Sequence, residues 1–239
     1  MEISSTKKQA KIAGLLYLLA SIAGFFCLAY VPGKLIVSGD AAVTANHIRA
    51  SETLLRFGIA SELISFIIFI FVVLALYRLF KAVSERHAVA MAILLLVSIP
   101  ISLLNVLNEI AALILVSGAD FLSAFEKGQL DALAYLFLRL HGQGLVVAEI
   151  FWGLWLFPFG ALVIRSGFIP RFLGVLLFIA GFGYLASSFT SLLLPQYARL
   201  IDQFAMVLTA GELPIIFWLL IWGAKDQPSD EQPPHPALA

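Results

Sequence analysis

Apolar residues along this chain do not alternate with polar ones; they run on in long blocks separated by short polar stretches. A helix needs about 20 such residues to cross a ~30 Å hydrocarbon layer. Windows of that length fall at residues 12–31, 54–77, 88–116, 143–164, 172–194 and 204–223. The pattern predicts an all-α fold over 1–225, a polytopic membrane bundle of about six transmembrane helices. The lipid bilayer is then its first partner. Lys7, Lys8 and Lys11 precede a first block too long for the core of a signal peptide and without an A-x-A site, so it reads as a retained anchor. The tail 226–239, "DQPSDEQPPHPALA", is polar and proline-rich, and is expected to be disordered in the cytoplasm.

The connections carry their own signals. In "SGDAAVTANHIRASETLLRF", Asp40 is placed to cap a short surface helix that leads into the second span. In the second outer loop Asp120 is placed to cap an interfacial helix presenting Phe121, Leu122 and Phe125, with a break at Lys127 and Gly128. From Asp131 the helical pattern continues to about Ile164, far longer than the bilayer is thick. Gly142 and Gly144 are the natural interruption, which places Arg139 and His141 at or above the outer membrane edge.

Composition sharpens this picture. The chain is 61% hydrophobic and 13% charged, against about 45–50% and about 25% in soluble domains. Its 15 basic residues balance 15 acidic ones, so no positive field exists to recruit nucleic acid. Arg78, Lys81, Arg86, Arg165, Arg171 and Lys225 all fall on the side of the amino terminus if every span crosses once. The positive-inside rule then predicts a multi-pass protein of the cytoplasmic (inner) membrane with both termini in the cytoplasm. Cys27, the 1 cysteine, is read as a packing residue.

The candidate chemistry lies in carboxylates inside the spans. "KIAGLLYLLA" from Lys11 matches "RFLGVLLFIA" from Arg171, and "IASELI" around Glu62 matches "TAGELP" around Glu212, with "VVAEIF" around Glu149 a looser copy. These matches suggest a two-helix unit repeated in parallel orientation. Asn105, Asn108 and Glu109 share one face of the third span. Glu62, Glu109, Glu149 and Glu212 are therefore expected at similar depth, directed into the bundle, with Arg56 and Arg139 as the available cations and His141 nearby. An ionised carboxylate is costly in hydrocarbon, and such residues pair, stay protonated or serve a function. Four acids against two arginines leave room for a proton, a metal ion or a small cationic ligand.

Other chemistries are poorly served. A zinc hydrolase wants several histidines, and only His141 lies near the acids. Ser166 sits in a turn across the membrane from His141. No phosphate loop, dinucleotide fingerprint or haem-attachment motif is present, so no cofactor and no catalytic residue are predicted. Phe151, Trp152, Trp155, Phe157 and Phe159 read as lipid-facing or packing aromatics. Pro214, two residues after Glu212, frees backbone oxygens near that carboxylate.

The segments "AGLLYLLA" 13–20, "GDAAVTANHIRASETLLRFGI" 39–59, "LYRLF" 76–80, "FLRLHGQG" 137–144, "GALVIRSGFIPRFLGVLLFIAGFGYL" 160–185 and "GELPIIFWLLIWGAK" 211–225 resemble the bacterial membrane-protein family known as domain of unknown function 4386. The resemblance implies a polytopic prokaryotic membrane protein and assigns no activity. The residues favour a small transport or ligand-binding protein, with a carboxylate-rich pocket open to the extracytoplasmic side. The alternatives are a structural or sensory partner protein in which the polar cluster only locks helices, and a membrane enzyme using His141 with a glutamate.

Overall fold

The computed structural model describes residues 5–224, and the predicted tail lies outside them. Six helical segments are long and apolar enough to cross a membrane, and the described residues contain no strand. The first runs from α1 (Ser5–Phe25) through a π-helical turn (Phe26–Tyr30) into α2 (Val31–Leu35). A surface helix, α3 (Ala41–Ala50), follows with the expected cap: Asp40 Oδ1 accepts from the Val43 N–H at 2.9 Å. Then come α4 (Glu52–Phe80), α5 (Glu85–Val116), α6 (Lys127–Ser166) and α7 (Arg171–Leu193). The last crossing is α8 (Pro195–Thr209), a 3-10 turn (Ala210–Glu212) and α9 (Leu213–Ile221), the turn falling where Gly211 and Pro214 weaken the helix.

These helices close into a ring in the order α1, α4, α5, α6, α7, α8 with α9, and back to α1. Large apolar side chains cover its outside, among them Ile22, Phe71, Ile93, Phe182 and Phe217. A soluble protein does not present such a belt, whereas lipid accepts it. Because lipid tails are as apolar as leucine, the helices are held by close packing rather than by the hydrophobic effect. Glycines provide that closeness between α6 and α7. A Cβ on Gly160 would lie 2.7 Å from the Gly174 carbonyl oxygen, and one on Gly153 would lie 2.8 Å from that of Gly181. Gly14, which matches Gly174 in the repeated motif, similarly abuts the backbone of Leu219 and Leu220 in α9.

The structure departs from the sequence pattern at two places. The helix from Lys127 to Ser166 is continuous over 40 residues, with no interruption at Gly142 or Gly144. At about 60 Å it exceeds the hydrocarbon layer twofold, so its first half is extramembrane in character and packs on α3. The interfacial helix expected from Asp120 is reduced to a single 3-10 turn (Asp120–Leu122), because the helix restarts at Lys127 on a capping box between Glu126 and Gln129.

The extension of α6 is anchored by Asp131. Its buried carboxylate pairs with Arg49 of α3 and, at 2.6 Å, with Lys127 one turn earlier. Removing one partner of a buried pair leaves the others uncompensated. Asp131→Ala is expected to destabilise the protein by about 2 kcal/mol, less than for a fully buried pair because both cations reach solvent. Thermal unfolding in detergent measures this, and an unchanged midpoint would remove the anchor from the account.

The apolar interior is in two pieces. One, toward the amino-terminal end, gathers Tyr17, Phe80, Met91, Trp155, Phe159 and Leu177. The other gathers Val31, Ile48, Leu55, Val106, Leu113 and Leu138 at the opposite end. Along α4, α5 and α6 the stretch between the two pieces holds buried Glu62, Ser65, Ser98, Ser102, Asn105 and His141. The functional question therefore concerns this polar layer.

Candidate functional site

On α5, Ser98, Ser102, Asn105 and Glu109 are spaced by 4, 3 and 4 residues and all are buried. That spacing keeps them on one inward face over about 16 Å of helix. On α4, Glu62 and Ser65 share a face in the same way. The hydroxyls of Ser61 and Ser65 donate to the carbonyls of Ala23 and Ala20 at 3.1 and 2.9 Å, fixing α4 against α1. Glu62 is thereby held inward at 0% exposure.

The third element enters through "FLRLHGQG". Asn105 Nδ2 donates to the His141 carbonyl oxygen at 2.8 Å. A Cβ at position 144 would fall 2.0 Å from Asn105 Oδ1. Gly144 is needed for this close approach of α5 to α6, whereas Gly142 faces open space. Asn108 Nδ2 donates to Asn105 Oδ1 at 3.0 Å and so orients the amide. The motif is thus a docking surface for α5 rather than a hinge.

The docking delivers His141 between two carboxylates. Its Nε2 lies 3.2 Å from Glu62 Oε1, and its Nδ1 lies 4.0 Å from Glu109 Oε1. All three residues are buried, and one ligand atom from each lies within 4.8 Å of the others. Glu62 Oε2 and Glu109 Oε2 have no hydrogen-bond partner among the described residues. A neutral imidazole offers one N–H and so satisfies one carboxylate at most. Two acids facing one imidazole, each with a bare buried oxygen, make an arrangement short of positive charge.

The other predicted site residues lie elsewhere. Arg56 is exposed and pairs with Glu52 at 2.7 Å, one turn away on its own helix. Arg139 is exposed on the outer face of α6. Neither arginine neutralises the cluster, since an inward-facing neighbour on the same helix puts each of them outward. Glu149 is two turns, about 12 Å, beyond His141 along α6, where it accepts from Ser188 Oγ at 3.4 Å. Glu212 accepts from Tyr184 Oη at 3.2 Å. The single layer of four glutamates expected from the sequence is therefore divided: Glu62 and Glu109 flank His141, whereas Glu149 and Glu212 meet Ser188 and Tyr184, one turn apart on α7. Sequence reasoning did not assign Asp131, Tyr184 or Ser188. Tyr184 and Ser188 are spaced i, i+4 on α7, a signal for one shared face but not for their acidic partners.

Fold and site together define a multi-pass all-α membrane bundle with a buried acid–imidazole cluster. The chain belongs to the family described as Domain of unknown function (DUF4386), whose family model matches residues 12–223. It is also similar to a protein of Archaeoglobus fulgidus described as "Uncharacterized protein", with 38% identity over 76 residues, 32% of this chain and 44% of that protein. The chain thus spans less than half the length of that curated relative. No solved structure matches.

Proposed function

We propose that this is a small transport or ligand-binding protein of the cytoplasmic membrane, which holds a divalent transition-metal ion between Glu62, Glu109 and His141 on the extracytoplasmic side. The observation that carries the reading is the buried triad itself, with an unpartnered oxygen on each carboxylate and neither predicted arginine nearby. Carboxylate and imidazole ligands suit Mn²⁺ and Zn²⁺. Bonds of ~2.1 Å place tetrahedral ligand atoms about 3.4 Å apart. One ligand atom from each of the three residues lies within 4.8 Å of the others, and the terminal carboxylate torsions that close the remainder are soft.

The orientation rests on charge. Arg78, Lys81, Arg86, Arg165 and Arg171 gather at the α4–α5 and α6–α7 connections, at the amino-terminal end of the ring. The triad lies toward the other end, bordering the apolar piece that includes Val106 and Leu138. A reporter fused after Lys225 is expected to read cytoplasmic and one inserted at Gly128 external; the reverse pattern would place the triad on the cytoplasmic side.

Metal binding is tested by equilibrium dialysis of purified protein with elemental analysis. One Zn²⁺ or Mn²⁺ per chain is expected, zinc the tighter by the usual order of divalent affinities, with Mg²⁺ failing to compete. His141→Ala is expected to weaken zinc binding at least tenfold. Equal retention of zinc by the wild type and the variant would defeat the assignment.

A further inference from the structure

A separate space borders the polar layer, sharing Ser65 and Ser98 with it. It is a cavity of about 310 Å³, and none of Glu62, Glu109 and His141 lines it. All six crossings contribute to its walls, and aromatic side chains from α1, α4, α6 and α7 are prominent among them. Tyr17 meets Trp155 at a ring-centroid distance of 6.0 Å, and Trp152 meets Tyr184 edge-on at 6.2 Å. Trp152 and Trp155 pack in the core, as their helical spacing suggests, and both also line this cavity.

Two polar groups break the apolar lining in a way that packing does not explain. Tyr17 is 1% exposed, and its hydroxyl has no hydrogen-bond partner among the described residues. A buried hydroxyl left unmade costs on the order of 1–3 kcal/mol. Glu212 also lines the cavity and accepts from the Tyr184 hydroxyl at 3.2 Å. No lysine, arginine or histidine stands among the lining residues. Of the serines that line the cavity, Ser65 donates to the Ala20 carbonyl and Ser98 to that of Leu95. The unmet buried chemistry is thus one carboxylate, the Tyr17 hydroxyl and the faces of several electron-rich rings.

We infer that this cavity binds an amphipathic amine: the ammonium sits between the Glu212 carboxylate and the Tyr17 hydroxyl oxygen, and its apolar body lies against Trp152 and Trp155. An ammonium donates to both oxygens, and ring faces attract a desolvated cation. The volume matches the lower end of small-ligand pockets, ~300 Å³. The entry is from the membrane. Phe25 of α1 is 69% exposed, Met206 of α8 70% and Leu213 of α9 47%, and all three line the cavity. Its rim between α1 and the α8–α9 pair is therefore a lipid-facing gap, open to a molecule that partitions into the bilayer. The π-helical turn begins at Phe26, next to this rim, where α1 departs from regular geometry.

The test uses the full chain in maltoside detergent, which carries no amine. Phenethylammonium is titrated against tryptophan fluorescence, with calorimetry as a second readout, and 2-phenylethanol serves as the neutral counterpart of the same shape. Saturable binding of the ammonium at least tenfold tighter than the alcohol is expected, with Tyr17→Phe weakening it several-fold and Glu212→Gln at least tenfold. His141→Ala, which removes the metal triad, is expected to leave it unchanged, so failure here and failure of the metal reading are separable. Equal affinity for the ammonium and the alcohol would show an apolar pocket only and overturn the inference. So would absent saturation, or full affinity in Glu212→Gln. Should Glu212→Gln fail to fold, the comparison of the two probes on the wild-type protein decides the matter alone.

Discussion

Zinc at a hundredfold excess over its Kd is expected to stabilise the wild-type protein by about 2.7 kcal/mol, the mass-action gain of a ligand that binds only the folded state. Glu109→Gln is expected to abolish that gain. The same variant should leave the metal-free melting temperature equal or higher. Glu109 faces His141 at 4.0 Å, lies near a second carboxylate and carries a buried oxygen with no partner. Neutralising it removes a charge that the metal-free fold does not compensate. If the cluster were only a lock between helices, the sign would reverse, because removing one member of a satisfied buried pair destabilises by about 3–5 kcal/mol. Melting curves of the wild type, Glu62→Gln and Glu109→Gln, with and without zinc, separate the two. The zinc-dependent shift should also shrink as the pH falls, since protons compete with the metal for imidazole and carboxylate alike. A zinc shift that persists undiminished in both variants would place the ion elsewhere.

Gly174→Leu is expected to be among the most damaging single changes in the bundle. Its first side-chain atom alone would lie 2.6 Å from the Gly160 carbonyl oxygen and 2.6 Å from Ile164 Cγ1. Extra core methylenes cost about 1–3 kcal/mol when side chains can yield, and here backbone must move, so a loss of more than about 3 kcal/mol is expected. Because α6 carries His141 while α7 packs along its other half, zinc binding should fall with stability. Gly142→Ala is the contrasting change. Gly142 is exposed in the middle of α6 with nothing within 4 Å of its added Cβ, so the substitution should stabilise by up to about 1 kcal/mol. Size-exclusion profiles and melting temperatures of the two variants test both statements. A folded, wild-type-like Gly174→Leu would mean that α6 and α7 are not in close contact.

What the sequence determined by itself is the class and the elements. Six apolar blocks require helices because in hydrocarbon every backbone N–H and C=O must be satisfied within its own segment, and the Asp40 cap is equally local. Periodicity also put Asn105 and Glu109 on one face of α5, and the burial of both follows from it. Tertiary structure alone decided which charges meet. Depth along a helix does not fix azimuth, so glutamates that looked equivalent by motif part company: Glu62 turns to His141, Glu149 to Ser188 and Glu212 to Tyr184. Gly144 read as a hinge because a glycine's cost in a helix is local, while its benefit, the room it leaves for Asn105, lies on another helix. Arg56 and Arg139 looked like partners by charge, yet each points away from the cluster. Whether a buried carboxylate has a partner depends on the packing of α4, α5 and α6, a contact between residues up to 79 positions apart in the chain, and local pattern does not encode such a contact.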